Sequence, residues 1–307
     1  MKILITGGAG YLGSVLSGKL EGHDVTIFDK LMYREPSKGI NYYIGDIRNK
    51  DAVLDVVKGH DVVIHLAAIV GDEACALNKQ VSNDINYNAM NNIIEACNAH
   101  GARLLYASSC SVYGANTDHL HEGSYLNPLS LYAINKMQAE ELIVRDCKYY
   151  LIFRMGTLFG ASPRMRLDLV INLLTARAVH EGWFTIHGGE QWRPFLHVED
   201  AADAFINACS SDKIGIYNIA SFNEKLIDVG KNIIEITGGE LNIDKTVSDK
   251  RDYKVSWDKA EKDLYFDPKV DFRISIENMM SVVENINRRN PVYYNHDWLA
   301  MKRIDIV

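Results

Sequence analysis

The sequence has no apolar run that approaches the ~18 residues a membrane-spanning helix requires, so it offers no candidate span. It also lacks the charged start, apolar stretch and small-residue cleavage site of a secretory signal. The first residues run straight from "KILI" into a glycine cluster. Cysteine is sparse and scattered: Cys75, Cys97, Cys110, Cys147 and Cys209, odd in number and with no CxxC pair. That excludes a disulfide framework and a zinc site, and it points to reduced thiols in a cytoplasmic protein. Basic charge is not in excess: 33 Lys and Arg face 40 Asp and Glu, a net −7. A general nucleic-acid binder would show the opposite balance, whereas a small anionic substrate held by a few arginines remains compatible. No internal repeat, low-complexity tract or Gly/Ser/Pro-rich linker divides the chain.

What is present is enough for a large core, with 307 residues of which 47% are hydrophobic. The first half alternates β-rich runs ("KILIT", "DVTIFD", "YYIGD", "DVVIHLAA", "RLLYASS", "YYLIFR") with helical patterns, among them "LYAINKMQAEELIVRDC". The runs are continuously apolar, as strands buried on both faces are. The expected fold is α/β: a Rossmann-like doubly wound parallel sheet with a smaller α/β C-terminal substrate lobe. The expected division is a dinucleotide-binding domain over 1–155, with strands added from about 195–220, and a mainly substrate-binding lobe over 156–307. Beyond Arg154, "MRLDLVINLLTARAVHEG" predicts a helix, "FTIHGG" a strand and "VEDAADAFINACS" a helix with acids in its first turn. The tail "NPVYYNHDWLAMKRIDIV" has no assignable pattern.

The stretch "TGGAGYLGS" spaces Gly7, Gly10 and Gly13 between a strand and an amphipathic helix, where a dinucleotide loop needs them. A glycine triplet alone reads equally as an ordinary turn. Asp29, at the tip of the next strand, adds a carboxylate that bonds ribose hydroxyls and repels a 2′-phosphate, favouring NAD over NADP; Lys30 beside it works against that preference.

In "SLYAINK", Tyr132 and Lys136 stand four apart, on one helix face. A second such pair, Tyr265 and Lys269, spans Pro268, which disfavours a helix. Tyrosine is a poor base near its ordinary pKa of about 10. A lysine ammonium and a positive nicotinamide ring stabilise phenolate, so Tyr132 is expected to have a lowered pKa and to take a hydroxyl proton as hydride leaves the same carbon. Ser108, Ser109 and Ser111 offer hydroxyls to hold the substrate oxygen.

"TGGAGYLG", Asp29, "GDI" at 45–47, "HLAA" at 65–68, "SSCSVYG" and "YAINK" together resemble the extended short-chain dehydrogenase/reductase family. The similar branch is that of NAD-dependent nucleotide-sugar epimerases and dehydratases, such as UDP-galactose 4-epimerase, and the likeness runs to about residue 285. The resemblance implies Ser109, Tyr132 and Lys136 as the catalytic set. It implies a cofactor site of Gly7, Gly10, Tyr11, Leu12, Gly13, Asp29, Asp46, Ile47, Leu66, Ala67, Ala68 and Ser108, shared with Tyr132 and Lys136. It points to Arg193 and Arg251 for a substrate diphosphate. Ser111, Thr157, Arg164, Arg166 and Asn172 are further substrate candidates. Dehydratases of the branch carry Asp-Glu after the catalytic Thr; here Cys110 and Ser111 stand there, which disfavours dehydration. The expected activity is epimerisation, at C4 through a transient keto sugar, with a nucleotide-sugar dehydrogenase or ketoreductase as alternative and a non-enzymatic NAD-binding sensor as a third. A homodimer through helices 82–100 and 129–147 is implied, with no metal, nucleic acid or membrane partner.

Overall fold

In the computed structural model, which describes residues 1–34, 39–116, 119–246 and 251–302, the first half runs β1 (Lys2–Thr6), α1 (Tyr11–Lys19), β2 (Asp24–Asp29), β3 (Asn41–Ile44), α2 (Lys50–Val57), β4 (Val62–His65), α3 (Asp72–Leu77), α4 (Lys79–Asn83), α5 (Met90–His100) and β5 (Arg103–Ser109). A short β6 (His119–Leu120), α6 (Leu131–Asp146) and β7 (Tyr150–Met155) complete it. The second half runs β8 (Thr157–Phe159), α7 (Val170–Glu181), β9 (Trp183–His187), β10 (Trp192–His197), α8 (Val198–Cys209), β11 (Gly215–Ile219), β12 (Phe222–Lys225) and α9 (Leu226–Thr237). It ends in β13 (Glu240–Asp244), β14 (Lys254–Val255), α10 (Asp258–Leu264), α11 (Phe272–Val283) and α12 (Asn295–Met301).

Seven parallel strands form the main sheet in the order β11-β7-β5-β4-β1-β2-β3. Alternation along the strands builds a core on each face. Ile3, Ile5, Ile64, Leu105 and Phe153 point to one side, against α1 and α8. Leu4, Val63, Leu104, Tyr106 and Ile152 point to the other, against α2, α5 and α6. Both faces are covered, which is why these strands read as unbroken apolar runs. Of the stretch 195–220, only β11 joins this sheet; β10 pairs with β8 and β12 in a separate three-stranded sheet. Among the described residues no helix is long and apolar enough to cross a membrane, and no His, Cys, Asp and Glu cluster is arranged to hold a metal. All five cysteines are buried and unpaired.

Two elements differ from the sequence expectation. The helix expected from Met165 begins only at Val170. The preceding residues are held out of it by an Arg166–Asp168 fork (2.9 Å twice) and by the Leu167 amide donating to the Tyr293 carbonyl (2.8 Å). The tail is no appendage of the second lobe. Its helix α12 returns to the main sheet, buries Leu299 in the core that holds Leu4, Val63, Tyr106 and Ile152, and donates from Trp298 Nε1 to the Met32 carbonyl (2.8 Å). Residues 303–307 of the tail lie outside the described residues.

A buried ion pair ties α6 to the sheet. Arg154 on β7 donates Nη2 to Glu140 Oε2 of α6 at 2.7 Å, both side chains 3% exposed. Ser108 also donates to Glu140, and Arg154 Nη1 reaches the Tyr113 hydroxyl at 3.1 Å. Burial works against the Arg154 charge, but Glu140 outweighs it and raises the pKa. Removing one member of such a pair strands the other charge in the core. Glu140→Gln is expected to lower stability by about 3–5 kcal/mol in urea unfolding; an unchanged midpoint and slope would contradict the role given to this pair.

Candidate active site

A cleft of about 390 Å³ runs along the carboxyl edge of the sheet, and the segments that line it directly follow the strands. Its centre lies where strand order reverses between β1 and β4, the usual ligand position in doubly wound sheets. Gly7 turns the chain out of β1 with φ +74°; a Cβ there would sit 2.6 Å from the Ala67 amide nitrogen. The β1 turn and the β4 loop therefore touch backbone to backbone, which only glycine permits. At Gly13 a Cβ would lie 2.6 Å from the Gly8 Cα, so glycine lets α1 pack closely on the loop. Gly10 precedes α1 without a capping side chain, leaving the helix's first N–H groups for an anion.

Asp29 ends β2. Its carboxylate accepts from the Ala9 amide (3.0 Å) and the Leu31 amide (2.8 Å), and burial lifts its pKa above the ordinary value against those bonds. The side chain is thus locked facing the cleft, with capacity left for ribose hydroxyls. Lys30 turns away to Asp46 (2.9 Å), which Arg48 also grips at 2.6 Å. Burial raises the Asp46 pKa, but these two cations more than reverse it. Asp46 therefore lines the cleft with its carboxylate already engaged. Ile47, Leu66, Ala67 and Ala68 give the apolar wall, and Gly7, Gly10, Tyr11, Leu12 and Gly13 the floor. This cradle fits a dinucleotide: a glycine-only approach, an uncapped helix start and an oriented carboxylate at the second strand.

At the other end of the cleft, β5 delivers Ser109 and α6 delivers Tyr132 and Lys136. Ser109 Oγ accepts from the Ser111 amide (3.1 Å), which fixes its rotamer, and it lies close enough to Tyr132 to favour the phenolate. Lys136 is buried; its Nζ donates to the Ala107 carbonyl (2.6 Å) and lies 5.8 Å from the Tyr132 ring centroid. Burial pushes Lys136 down from 10.5 to about 8, against Cys75 and Glu140. The lowered phenol expected for Tyr132 is not found in the chain itself. Burial and the neighbouring Cys75 raise its pKa, outweighing the Arg166 charge and the Ser109 hydroxyl. A desolvated phenolate needs more positive charge than these side chains bring.

The remaining candidates divide. Ser111 and Thr157 line the cleft, and the buried Ser111 Oγ has no partner. Arg164, Arg166 and Arg251 line it too; Arg251 reaches across to Asp72 at 3.1 Å. Asn172 does not. It is buried, donating to Tyr11 Oη (3.1 Å) and the Arg166 carbonyl (2.9 Å) and accepting from the Gly160 amide (3.0 Å), so it joins the lobes instead of meeting substrate. Arg193 on β10 lies outside the cleft wall, with Nη1 on the Trp192 carbonyl (3.0 Å), although its charge and that of Arg251 both act on Tyr253. Ser108 gives the cleft only its backbone, because its hydroxyl belongs to Glu140. Tyr11 likewise turns its hydroxyl to the Gly160 carbonyl (2.6 Å). Tyr265 is 84% exposed and takes no part. His197 caps α8 through the Glu199 amide (3.2 Å), and the buried Cys110 thiol sits against the Arg154 carbonyl (3.3 Å) with a raised pKa.

Sequence reasoning missed Tyr33, Asp168 and Asn295, all on the cleft wall, and His65 beneath it. His65 Nδ1 lies 2.6 Å from Thr6 Oγ1, and burial, with Lys136 nearby, pushes its pKa down to about 3, so it stays neutral. Glu140 carried a signal that was passed over: it stands one helical turn beyond Lys136, on the same face.

The model of the NAD dependent epimerase/dehydratase family matches residues 3–220. UDP-N-acetyl-alpha-D-glucosaminuronate decarboxylase of Bacillus cytotoxicus is 31% identical over 266 residues, covering 79% of this chain and 82% of that one. UDP-glucuronic acid 4-epimerase from Bacillus cereus, solved with UDP-glucuronic acid and NAD, superposes with a TM-score of 0.83 at 25% identity, covering 94% of this chain and all of that one. MoeE5, solved with UDP-glucuronic acid and NAD, gives 0.82 at 27%, covering 92% and 99%.

The Lys136 shift has a consequence for stability. Between about 8 and 10.5 the unfolded chain holds a proton that folded Lys136 has released, so this residue's contribution rises with pH across that window. Urea unfolding of the cofactor-free protein and of Lys136→Met at pH 7.5 and 10 checks it. The wild type is expected to gain on the variant at the higher pH; a relative loss would contradict the buried ammonium.

Proposed function

The chain belongs to the NAD dependent epimerase/dehydratase family, and from that membership we propose that it is a nucleotide-sugar epimerase that acts at C4 through a transient keto sugar, with Tyr132 as base. It is an enzyme of the extended short-chain dehydrogenase/reductase type, and its cofactor is NAD. Held along Gly7, Gly13 and Asp29, NAD would supply reversible hydride transfer at the sugar carbon. The protein's part is proton handling and orientation. Tyr132 Oη receives the proton of the sugar hydroxyl, and Ser109 donates a hydrogen bond to the same oxygen. Lys136, anchored on the Ala107 carbonyl, lends positive charge beside the phenol. Gly7, Gly13 and Asp29 fix the dinucleotide's pose.

The observation that carries this reading is the Ser109–Tyr132–Lys136 constellation with no acid at the two positions after Ser109. Elimination of water across C5–C6 needs a further acid and base next to Ser109, and those positions hold the buried Cys110, with a raised pKa, and Ser111. Dehydration is therefore disfavoured. One relative named as a decarboxylase supports a second reading with net turnover of the sugar. A ketone at C4 stands β to a C6 carboxylate, the arrangement that loses carbon dioxide, so the same three residues serve either outcome. Oxidation or reduction with net turnover of NAD(H) also uses them.

Substrate is read as a nucleotide sugar, with Arg251 and the unpartnered Ser111 hydroxyl on the substrate side. Helices α5 and α6 lie side by side, and α6 leaves Ile134 and Val144 exposed, 36% and 48%, which supports pairing with a second copy. Sedimentation at micromolar concentration is expected to give a dimer; a monomer would count against it.

Incubation of the purified protein with UDP-glucose and with UDP-glucuronic acid is expected to yield the C4 epimer without net NADH. Carbon dioxide release, or stoichiometric NADH with a keto product, would replace epimerisation by one of the other outcomes. Tyr132→Phe is expected to lose about 10²–10⁴-fold in kcat while the NAD content, read by mass spectrometry after denaturation, stays as in wild type. Undiminished turnover in that variant would remove Tyr132 from the base role.

A further inference from the structure

Arg164 is a buried cation with no carboxylate partner among the described residues. It is 5% exposed, lines the cleft, and has an enclosed Nε without a hydrogen-bond partner. Its Nη2 donates to Asn295 Oδ1 at 2.7 Å and the Val292 carbonyl at 3.3 Å, and the guanidinium lies 4.0 Å from the centroid of the Tyr33 ring. The nearest acid, Asp168, has both oxygens held by Arg166. Arg166 adds like charge, and burial together with that repulsion pushes Arg164 down to about 10. A guanidinium is well suited to a bidentate anion, and an unpaired one in a water-poor wall is unfavourable until an anion completes it.

Its position selects the anion. Ser162, two residues earlier, donates to the Tyr11 carbonyl (2.7 Å) and so pins this segment to the first residue of α1. Tyr33 follows β2 and lies close enough to Asp29 for the two to interact electrostatically. Arg164 thus stands between the uncapped start of α1 and the ribose-binding strand tip, where a doubly wound fold seats a dinucleotide's pyrophosphate. Arg166 acts on Tyr33 and Tyr11 as well as on Tyr132, but its fork is already taken by Asp168. The seat is completed from the far end of the chain: Asn295 also donates to the Val70 carbonyl (2.9 Å), and Trp298 to Met32.

We propose that Arg164, seated by Tyr33 and Asn295, binds the pyrophosphate of the bound dinucleotide, and that the segment Pro291–Met301 is a strap that retains the cofactor. The inference rests on the NAD reading above. A nucleotide sugar carries the same diphosphate chemistry, so the test separates the two sources. Cofactor-free protein is titrated with NAD by calorimetry, and protein saturated with NAD is titrated with UDP. Arg164→Met is expected to weaken NAD binding by about tenfold or more, and UDP binding by no more than about twofold. Asn295→Ala weakens NAD in the same direction, and Arg164→Lys recovers part of the loss. Wild-type NAD affinity in Arg164→Met, or a larger loss for UDP than for NAD, overturns the proposal. If Arg164→Met fails to fold, unchanged NAD affinity in both Asn295→Ala and Arg164→Lys overturns it, and weakened affinity in both supports it. A wild type that binds no NAD would instead remove the cofactor reading itself.

Discussion

The Glu140–Arg154 pair is the contact on which the Ser109–Tyr132–Lys136 end of the cleft depends. Lys136 and Glu140 share one face of α6 at a spacing of one turn. Once Glu140 is drawn to Arg154 on β7, the rotation of α6 about its axis is set, and Lys136 must come down over the Ala107 carbonyl. Tyr132, a turn earlier on that face, then meets Ser109. Ser108 bonds the same Glu140, so the end of β5 that presents Ser109 is tied to the same carboxylate. Two charges removed from water are a poor device for raw stability, because their desolvation opposes their attraction. Here they bring geometry: one buried carboxylate orients the helix bearing the phenol and the strand bearing the serine.

A second theme is how positive charge is distributed along the cleft. Lys30 and Arg48 are neutralised by Asp46, Arg166 by Asp168, and Arg251 faces Asp72. Lys136 stands between a carbonyl and two aromatic rings. The protein's own charges leave the Tyr132 phenol protonated, so the base role proposed for it calls for further positive charge at this end of the cleft.

Much of this was legible in the sequence, for a definite reason. Gly7, Gly13 and Asp29 serve functions that the local backbone dictates, and backbone demands leave a mark at fixed spacing. Tyr132 and Lys136 obey helix periodicity, and Ser109 ends a strand. Both faces of the sheet are buried, so its strands announced themselves as apolar runs. What escaped notice depends on distant segments meeting. Arg164 was a candidate from its type alone, but Asn295, which seats it, lies 131 positions away and outside any periodic pattern. The helix expected at Met165 was overextended because apolar periodicity continues through "MRLDLV", while a side-chain fork and a bond to the Tyr293 carbonyl hold the backbone otherwise. Asn172 and Arg193 fell on plausible segments but point into the lobe and along its sheet, since type and spacing do not reveal which way a side chain faces.

Leu299 has a further consequence, for how the molecule is made. The buried residues of the core it enters otherwise fall within 4–152, with Ile216 packed against them, and all of these leave the ribosome before it. The sheet can assemble during synthesis, since all seven of its strands are made by Ile219. The face of α3 that α12 covers stays bare until α12 itself has emerged. The core on this face of the sheet is therefore begun early and completed only when α12 arrives, with an apolar seat open for the whole interval.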